Sequence, residues 1–338
     1  MIAGRAALLA GTTVLLAPLF LFTDYHLFEL TLAIATALAI LGLNLVTGHT
    51  GQISLGHGAF YAIGAYVTAI LMADYDVPYW ATLPASAVVC AVVGFAIGLP
   101  ALRLRGHYLA LTTFALAVAM PQILKYRGLE GLTGGVQGIV LAKAGPPFGL
   151  ALTPDRWLYL FALAVAAPLF LLVYNLARGR IGLAMAAIRD HPLAAEAMGI
   201  DLARLKTGTF AISALITGIA GSLGAIAVQF VAPDSFPPLL SIFLFVGLIV
   251  GGIRSEAGAV IGALFVQFVP DLADQVSKAA PGALYGLALI AVLYLMPQGA
   301  AGALRRALAP LLHLRSGGAP AAGTGGRRAN PGGTRHVE

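Results

Sequence analysis

Long apolar segments alternate with short polar ones over most of the chain. A segment of roughly 20 apolar residues can cross a bilayer as an α-helix, whereas a strand of a membrane barrel needs only about ten residues. Two segments, 239–253 and 256–270, are shorter than a straight helical span requires. The pattern predicts an all-α polytopic membrane protein of about ten transmembrane helices, including a broken helix, at 6–23, 27–46, 53–72, 80–101, 108–123, 157–174, 207–231, 239–253, 256–270 and 282–297.

The first apolar segment has the appearance of a signal peptide, because Arg5 precedes a run of apolar residues. The run ends with Leu21-Phe-Thr-Asp-Tyr25, which lacks the small residues of a cleavage site. We therefore expect this segment to be an uncleaved first span.

A polar, glycine-rich stretch interrupts the apolar pattern between the second and third segments. It reads Thr47-Gly-His-Thr-Gly-Gln-Ile-Ser-Leu-Gly-His-Gly58, and we call residues 47–58 the hinge. Non-helical backbone at membrane depth is tolerated only where protein or a water-filled cavity shelters it, and in transporters such breaks point to the solute path. The hinge is therefore either a break in a transmembrane helix or a short loop between two ordinary helices. No Cys or carboxylate lies near His49 and His57 to complete a metal site.

Composition supports a membrane location, since 59% of the residues are hydrophobic, 10% are charged and the mean hydropathy is +0.90. Soluble domains carry about 25% charged residues. The single cysteine, Cys90, cannot form a disulfide within the chain. With ten spans, most Lys and Arg fall on the side of the N-terminus, which predicts that both termini are cytoplasmic. We expect one transmembrane domain over 1–315 and a disordered cytoplasmic tail over 316–338, because Gly, Ala, Pro and Arg dominate that tail.

Two polar segments are long enough to have structure of their own: 124–156 on the outer side and 175–206 on the inner side. The inner segment predicts two short helices, Ile181–Arg189 and Pro192–Met198, because Pro suits a first helical position and Gly199 suits a C-terminal cap. Shallow apolar surface between its charged residues is typical of a docking element. Alternatively, this segment is a loop that rests on the lipid headgroups.

The sequence has no motif for ATP binding or for catalysis. No lysine follows a glycine, which excludes a G-x-x-x-x-G-K-[ST] loop, and neither H-E-x-x-H nor G-x-S-x-G occurs. Carriers driven by ion gradients generally need ionisable groups inside the membrane, yet no Asp or Glu lies near the middle of a predicted span. We expect no cofactor, no metal and no enzymatic activity. The pattern favours a helical bundle that is driven from the cytoplasm by a separate motor.

Three stretches of the sequence resemble the M-type permease subunits of branched-chain amino-acid ABC importers, and the resemblance covers about residues 27–300. They are Leu43-Asn44-Leu45 with residues 48–66, Leu132–Ile139, and Gly179–Lys206. The resemblance implies a permease domain in the bacterial inner membrane that imports leucine, isoleucine or valine. It also implies a sister permease subunit, two ABC ATPase subunits and a periplasmic binding protein. Permeases for urea and short-chain amides are closely similar, and a secondary carrier without ATPase partners is the rival from another class.

The resemblance also implies roles for particular residues. The 181–206 segment would dock on an ATPase, and we predict that four of its residues couple the two proteins: Arg189, Asp190, Glu196 and Gly199. We hypothesise that polar side chains in and beside the hinge line the solute pathway: Asn44, Gln52, Ser54 and His57.

Overall fold

The computed structural model describes residues 17–101, 107–147, 151–276, 278, 280–296, 299–304 and 306. By their contacts, the described residues up to Ala303 form one compact unit. Most of the predicted first span, 6–23, and the whole of the predicted tail, 316–338, lie outside the described residues.

The described chain is mostly helical, which confirms the all-α class. A short helix, α1 (Pro18–Leu21), precedes α2 (Asp24–Asn44), and α2 continues into a π-helical turn (Leu45–His49). The later helices are α3 (His57–Asp74), α4 (Tyr79–Ala101), α5 (His107–Leu124), α6 (Glu130–Thr133), α7 (Pro154–Arg178), α8 (Arg180–Asp190), α9 (Pro192–Ala197), α10 (Leu202–Val228), α11 (Pro238–Gly251), α12 (Glu256–Val276) and α13 (Pro281–Leu295). Two short strands, β1 (Ile139–Val140) and β2 (Phe230–Val231), pair antiparallel.

Among the described residues, seven helices are long and apolar enough to cross a membrane: α2 with its π turn, α4, α5, α7, α10, α11 and α12. The chain is therefore a polytopic membrane protein. A shorter apolar stretch, Gly282–Val292, lies in α13. α12 runs for 21 residues through Pro270, so the predicted span end at residue 270 is too early. Asp271 and Asp274 consequently belong to this helix rather than to the connection after it.

Two helices form the centre of the bundle. The apolar windows of α2 and α10 are 72% and 78% buried, whereas those of the other five spans are 39% buried or less. α10 packs against α2, α3 and α4, and small residues let these helices approach closely. Gly64 of α3 meets the backbone of Gly218, and Gly94 of α4 meets Ala214. Elements attached to α2 and α10 are thus held by the most deeply packed part of the fold.

The helices run alternately between two ends of the bundle. One end, which we call the hinge end, carries the hinge, α8, α9 and the turn between α11 and α12. At the other, the loop end, Thr153 Oγ1 donates a hydrogen bond to Asp24 Oδ1 (3.0 Å) and Trp157 Nε1 donates one to Tyr79 Oη (2.8 Å). β1 also pairs with β2 there. These contacts therefore tie the region between α5 and the first turn of α7 to α2, to α4 and to the strand that follows α10.

Candidate functional site

The hinge joins two helices through an irregular connection in which buried and more exposed residues alternate. α2 ends in the π turn, residues 51–56 form neither helix nor strand, and α3 begins at His57. α2 and its π turn together make a span of 26 residues, so the second and third predicted spans are two helices rather than one helix broken at its middle. Gly51 has φ +72°, a left-handed conformation that a residue with a Cβ adopts only at a cost. π turns are frequent at functional sites.

Hydroxyl groups on other helices bind the irregular backbone of the hinge. The Leu55 N–H donates to Oγ1 of Thr113 on α5 (3.0 Å), and the Gly58 N–H donates to Oγ of Ser241 on α11 (3.0 Å). A backbone N–H inside a membrane has no water to bond with, so an unpartnered one would cost several kcal/mol. These two side chains therefore allow the hinge to lie inside the bundle.

A chain of hydrogen bonds connects the hinge with α10 and α2. Ser213 Oγ on α10 donates to the Gly42 carbonyl of α2 (2.6 Å), which uses its only proton. Ser213 Oγ must therefore accept from Nε2 of His57 (2.6 Å), and Nδ1 of the neutral ring accepts from Ser54 Oγ (3.0 Å). The ring also has edge-on contacts with Phe60. Every polar atom in this chain has a partner while His57 is neutral.

Asn44, the last residue of α2, holds the turn between α11 and α12. Its side-chain Oδ1 accepts from the Arg254 N–H (2.8 Å), and its Nδ2 donates to the Ser255 carbonyl (3.3 Å). Arg254 has φ +67°, so the amide of Asn44 stabilises a backbone conformation that arginine rarely adopts. This links the hinge end of α2 to the turn that begins α12.

The four residues proposed for the pathway thus lie around one connection and are buried. Asn44 and Ser54 are 0% exposed, His57 is 1% exposed and Gln52 is 7% exposed. Gln52 Nε2 donates to Thr50 Oγ1 (2.9 Å), so all four side chains bond with the protein itself. The hydroxyl groups on α5, α10 and α11 that bond with the hinge were not predicted. A single Ser or Thr in an apolar helix is common in membrane proteins, and nothing in the sequence distinguishes these from the others.

The 175–206 segment contains the two short helices that the sequence predicts, α8 and α9, and we call residues 180–201 the α8–α9 segment. Pro192 is the first residue of α9, and Gly199 (φ +85°) ends it, with the Ile200 N–H bonded to the Ala195 carbonyl (3.0 Å). This segment buries Gly182, Met185, Ile188 and Ala195. It also exposes four apolar side chains: Ile181, Leu183, Leu193 and Met198.

The four predicted coupling residues differ in their exposure. The side chain of Arg189 is only 23% exposed, and its Nε donates to Oδ1 of Asp190 (2.9 Å), which is 58% exposed. This hydrogen bond is the main reason that the pKa of the Asp190 carboxyl lies below its usual value. Glu196 and Gly199 are exposed. The carboxylates of Asp190 and Glu196 therefore face solvent next to exposed apolar side chains.

A cavity of about 790 Å³ lies between the hinge and the α8–α9 segment. Its hinge wall is formed by Thr50, Gly51 and Gln52, and its other wall includes Arg189 and Glu196. The structure thus brings the two predicted groups of site residues to opposite sides of one space, a juxtaposition that sequence spacing does not reveal.

A polytopic bundle with a buried polar connection and a structured helical segment at one end has the architecture of a membrane transport subunit. The chain belongs to the family described as branched-chain amino acid transport system, permease component, whose model matches residues 26–296.

Curated relatives agree with this assignment. The chain is 33% identical over 300 residues to the high-affinity branched-chain amino acid transport system permease protein LivM of Salmonella typhimurium (82% of this chain and 69% of the relative). It is 32% identical over 302 residues to LivM of Escherichia coli K12, with the same coverage. It is also 26% identical over 291 residues to the probable branched-chain amino acid transport permease protein LivH of Methanocaldococcus jannaschii (78% and 88%). The relatives therefore include proteins of both names. No solved structure matches the chain significantly.

Proposed function

We propose that this chain is the transmembrane permease subunit of an ATP-driven ABC importer that moves leucine, isoleucine and valine across the bacterial inner membrane. The observation that carries the proposal is the family match over residues 26–296. The names of the LivM relatives support the choice of solute. The sequence has no P-loop of its own, so the energy would come from a partner.

The proposal includes ten transmembrane spans with both termini in the cytoplasm. In support, nine of the described helices run alternately between the hinge end and the loop end: α2, α3, α4, α5, α7, α10, α11, α12 and α13. The apolar residues 6–23 would supply the remaining span. Basic residues accumulate in the segments at the hinge end, such as Arg178, Arg180 and Arg204, and by the positive-inside rule this supports a cytoplasmic location for that end.

The partners would be a sister permease subunit, two ABC ATPase subunits and a periplasmic solute-binding protein. The α8–α9 segment suits an ATPase docking site, because exposed Leu183, Leu193 and Met198 offer apolar contacts beside the carboxylates of Asp190 and Glu196. The binding protein would dock at the loop end, where residues 125–153 connect α5 to α7.

The mechanism we propose is a displacement of the α8–α9 segment by the ATPases that tilts the bundle and opens the pathway. Coupling of this kind requires a packed element with two arrangements. The four side chains proposed for the pathway already bond with the protein itself. Solute would therefore reach them only after some of those bonds break. The described conformation would then be closed around the hinge.

Reconstitution of the complete complex tests the proposal. Leucine or valine, with binding protein, should stimulate ATP hydrolysis by the permease pair and its ATPases. Stimulation by urea or acetamide alone would keep the importer and replace the solute. Uptake by this chain alone, without ATPase, would instead indicate a secondary carrier.

A further inference from the structure

Arg189 occupies the last turn of α8 and turns its side chain towards the hinge. A Cβ placed on Gly51 would lie 2.7 Å from Cγ of Arg189, so the arginine stem rests directly on the glycine backbone. The side chain of Arg189 is 23% exposed, against 58% for neighbouring Asp190. A residue that belongs to a docking surface would present its polar end to the partner, and Arg189 does not.

The guanidinium is held at two points. Nε donates to Asp190 Oδ1 (2.9 Å), and Nη1 lies 3.5 Å from the Gly48 carbonyl, at the outer limit of a hydrogen bond. The short bond to Asp190 orients the planar guanidinium, because a carboxylate fixes an arginine more firmly than a backbone carbonyl does. Arg189 therefore joins the α8–α9 segment to the π turn at the end of α2.

The part of the hinge that Arg189 contacts has hydrogen bonds that stay within the π turn and the hinge: Thr47 Oγ1 donates to the Gln52 carbonyl (3.1 Å) and Thr50 Oγ1 to the Val46 carbonyl (2.6 Å). Beyond that part, His57 is fixed by a short hydrogen bond to Ser213 of α10 (2.6 Å), and Ser54 bonds to the His57 ring (3.0 Å). In the described structure, by contrast, the buried Nε2 of His49, within the π turn, has no hydrogen-bond partner. Gly48 also packs against Asn44, whose side chain binds Arg254. A displacement of the π turn would consequently reach the turn between α11 and α12.

We propose that Arg189 is a positioning residue that carries the displacement of the α8–α9 segment to the hinge, and that it is not part of the surface that meets the ATPase. This inference rests on the proposed function, because it needs an ATPase that moves the segment. α8 is suited to transmit such a displacement, since Gly182, Met185 and Ile188 are buried against the bundle and the helix can shift only together with its neighbours.

The test separates assembly from coupling. Arg189→Ala is compared with Met198→Asp, which changes a side chain of the same segment that is 84% exposed. In the complete complex we expect Arg189→Ala to co-purify with the ATPases at the wild-type ratio. We expect its transported solute per ATP hydrolysed to fall by about twofold to thirtyfold, the range seen for residues that carry coupling. Met198→Asp should show the reverse. Fewer ATPases should co-purify, and the complexes that remain should transport the wild-type amount of solute per ATP hydrolysed.

Two further variants keep the result decisive. Arg189→Lys keeps the Cγ contact with Gly51 but loses the planar guanidinium. Its transported solute per ATP hydrolysed should therefore lie between the values for Arg189→Ala and the wild type. Gly51→Ala changes the same contact from the hinge side and should resemble Arg189→Ala.

Loss of ATPase binding in Arg189→Ala would overturn the proposal, as would a normal transport ratio. Absence of both Arg189 variants from the membrane would show a merely structural role and would also overturn it. If the wild-type complex itself fails to respond to any solute, the proposed function fails instead, whatever the variants do.

Discussion

Ser213→Ala removes the centre of the hydrogen-bond chain between the hinge, α10 and α2. The substitution deletes a single oxygen, so it leaves little empty space. It breaks the bonds from His57 Nε2 (2.6 Å) and to the Gly42 carbonyl (2.6 Å). The Gly42 carbonyl keeps a partner, because it also accepts from the Leu45 N–H. The cost therefore falls on His57, which is 1% exposed and would retain a buried N–H without an acceptor.

Leaving a buried donor unsatisfied costs about 1–3 kcal/mol in soluble proteins. Hydrogen bonds between membrane helices average about 0.6 kcal/mol and reach about 1.7. Because the His57–Ser213 bond is short and both residues are fully buried, we place Ser213→Ala in the upper part of the membrane range, a loss of about 1–2 kcal/mol. A second substitution, His57→Leu, removes the orphaned donor. It should therefore cost about 1 kcal/mol less in the Ser213→Ala background than in the wild type.

The assay is unfolding of the purified permease by SDS in mixed micelles, followed by circular dichroism. Thr209→Val on the same helix is the matched control: Thr209 is 2% exposed, and its hydroxyl donates only to the Leu205 carbonyl of α10 (2.7 Å). No buried donor is orphaned, so we expect a loss below about 0.5 kcal/mol. Equal losses for the two variants, or purely additive effects of Ser213→Ala and His57→Leu, would refute this account of the hinge.

Three other predictions concern the ends of the hinge and the α8–α9 segment. Asn44→Ala should lower stability by about 1–3 kcal/mol in the same assay, because the part-buried Arg254 N–H and the Ser255 carbonyl lose their bonds to the buried Asn44 amide; a change within error would mean that the turn finds another partner. Glu196→Arg should reduce binding-protein-dependent uptake while the amount of permease in the membrane stays constant, and normal uptake would remove Glu196 from the docking surface. A cysteine placed at Leu193, which is 76% exposed, in a Cys90→Ala background should react with an impermeant maleimide only from the cytoplasmic side; labelling from the periplasm would invert the proposed topology.

Local signals made part of this structure predictable from the sequence. Pro192 and Gly199 bracket α9 because each has a backbone preference that acts within a few residues. The hinge was visible because six of its twelve positions between Thr47 and Gly58 break the apolar pattern with glycine or histidine. Asn44, Gln52, Ser54 and His57 were likewise chosen because they are polar residues in an apolar context.

The tertiary partners of those residues could not be predicted. His57 meets Ser213 across 156 positions of sequence, and membrane helices are apolar on every side, so no periodicity marks the face that is buried. For the same reason the central place of α2 and α10 was not visible. The Arg189 side chain points towards the hinge, where it contacts Gly51. The sequence contains both residues but does not show that they are neighbours in space.

The most direct test of the central claim is ATP hydrolysis by the complex reconstituted in lipid with its sister permease, ATPases and binding protein. The account predicts that hydrolysis rises when leucine or valine is added with the binding protein and does not rise with urea or acetamide. No response to any solute, together with leucine uptake by this chain alone in proteoliposomes, would contradict it.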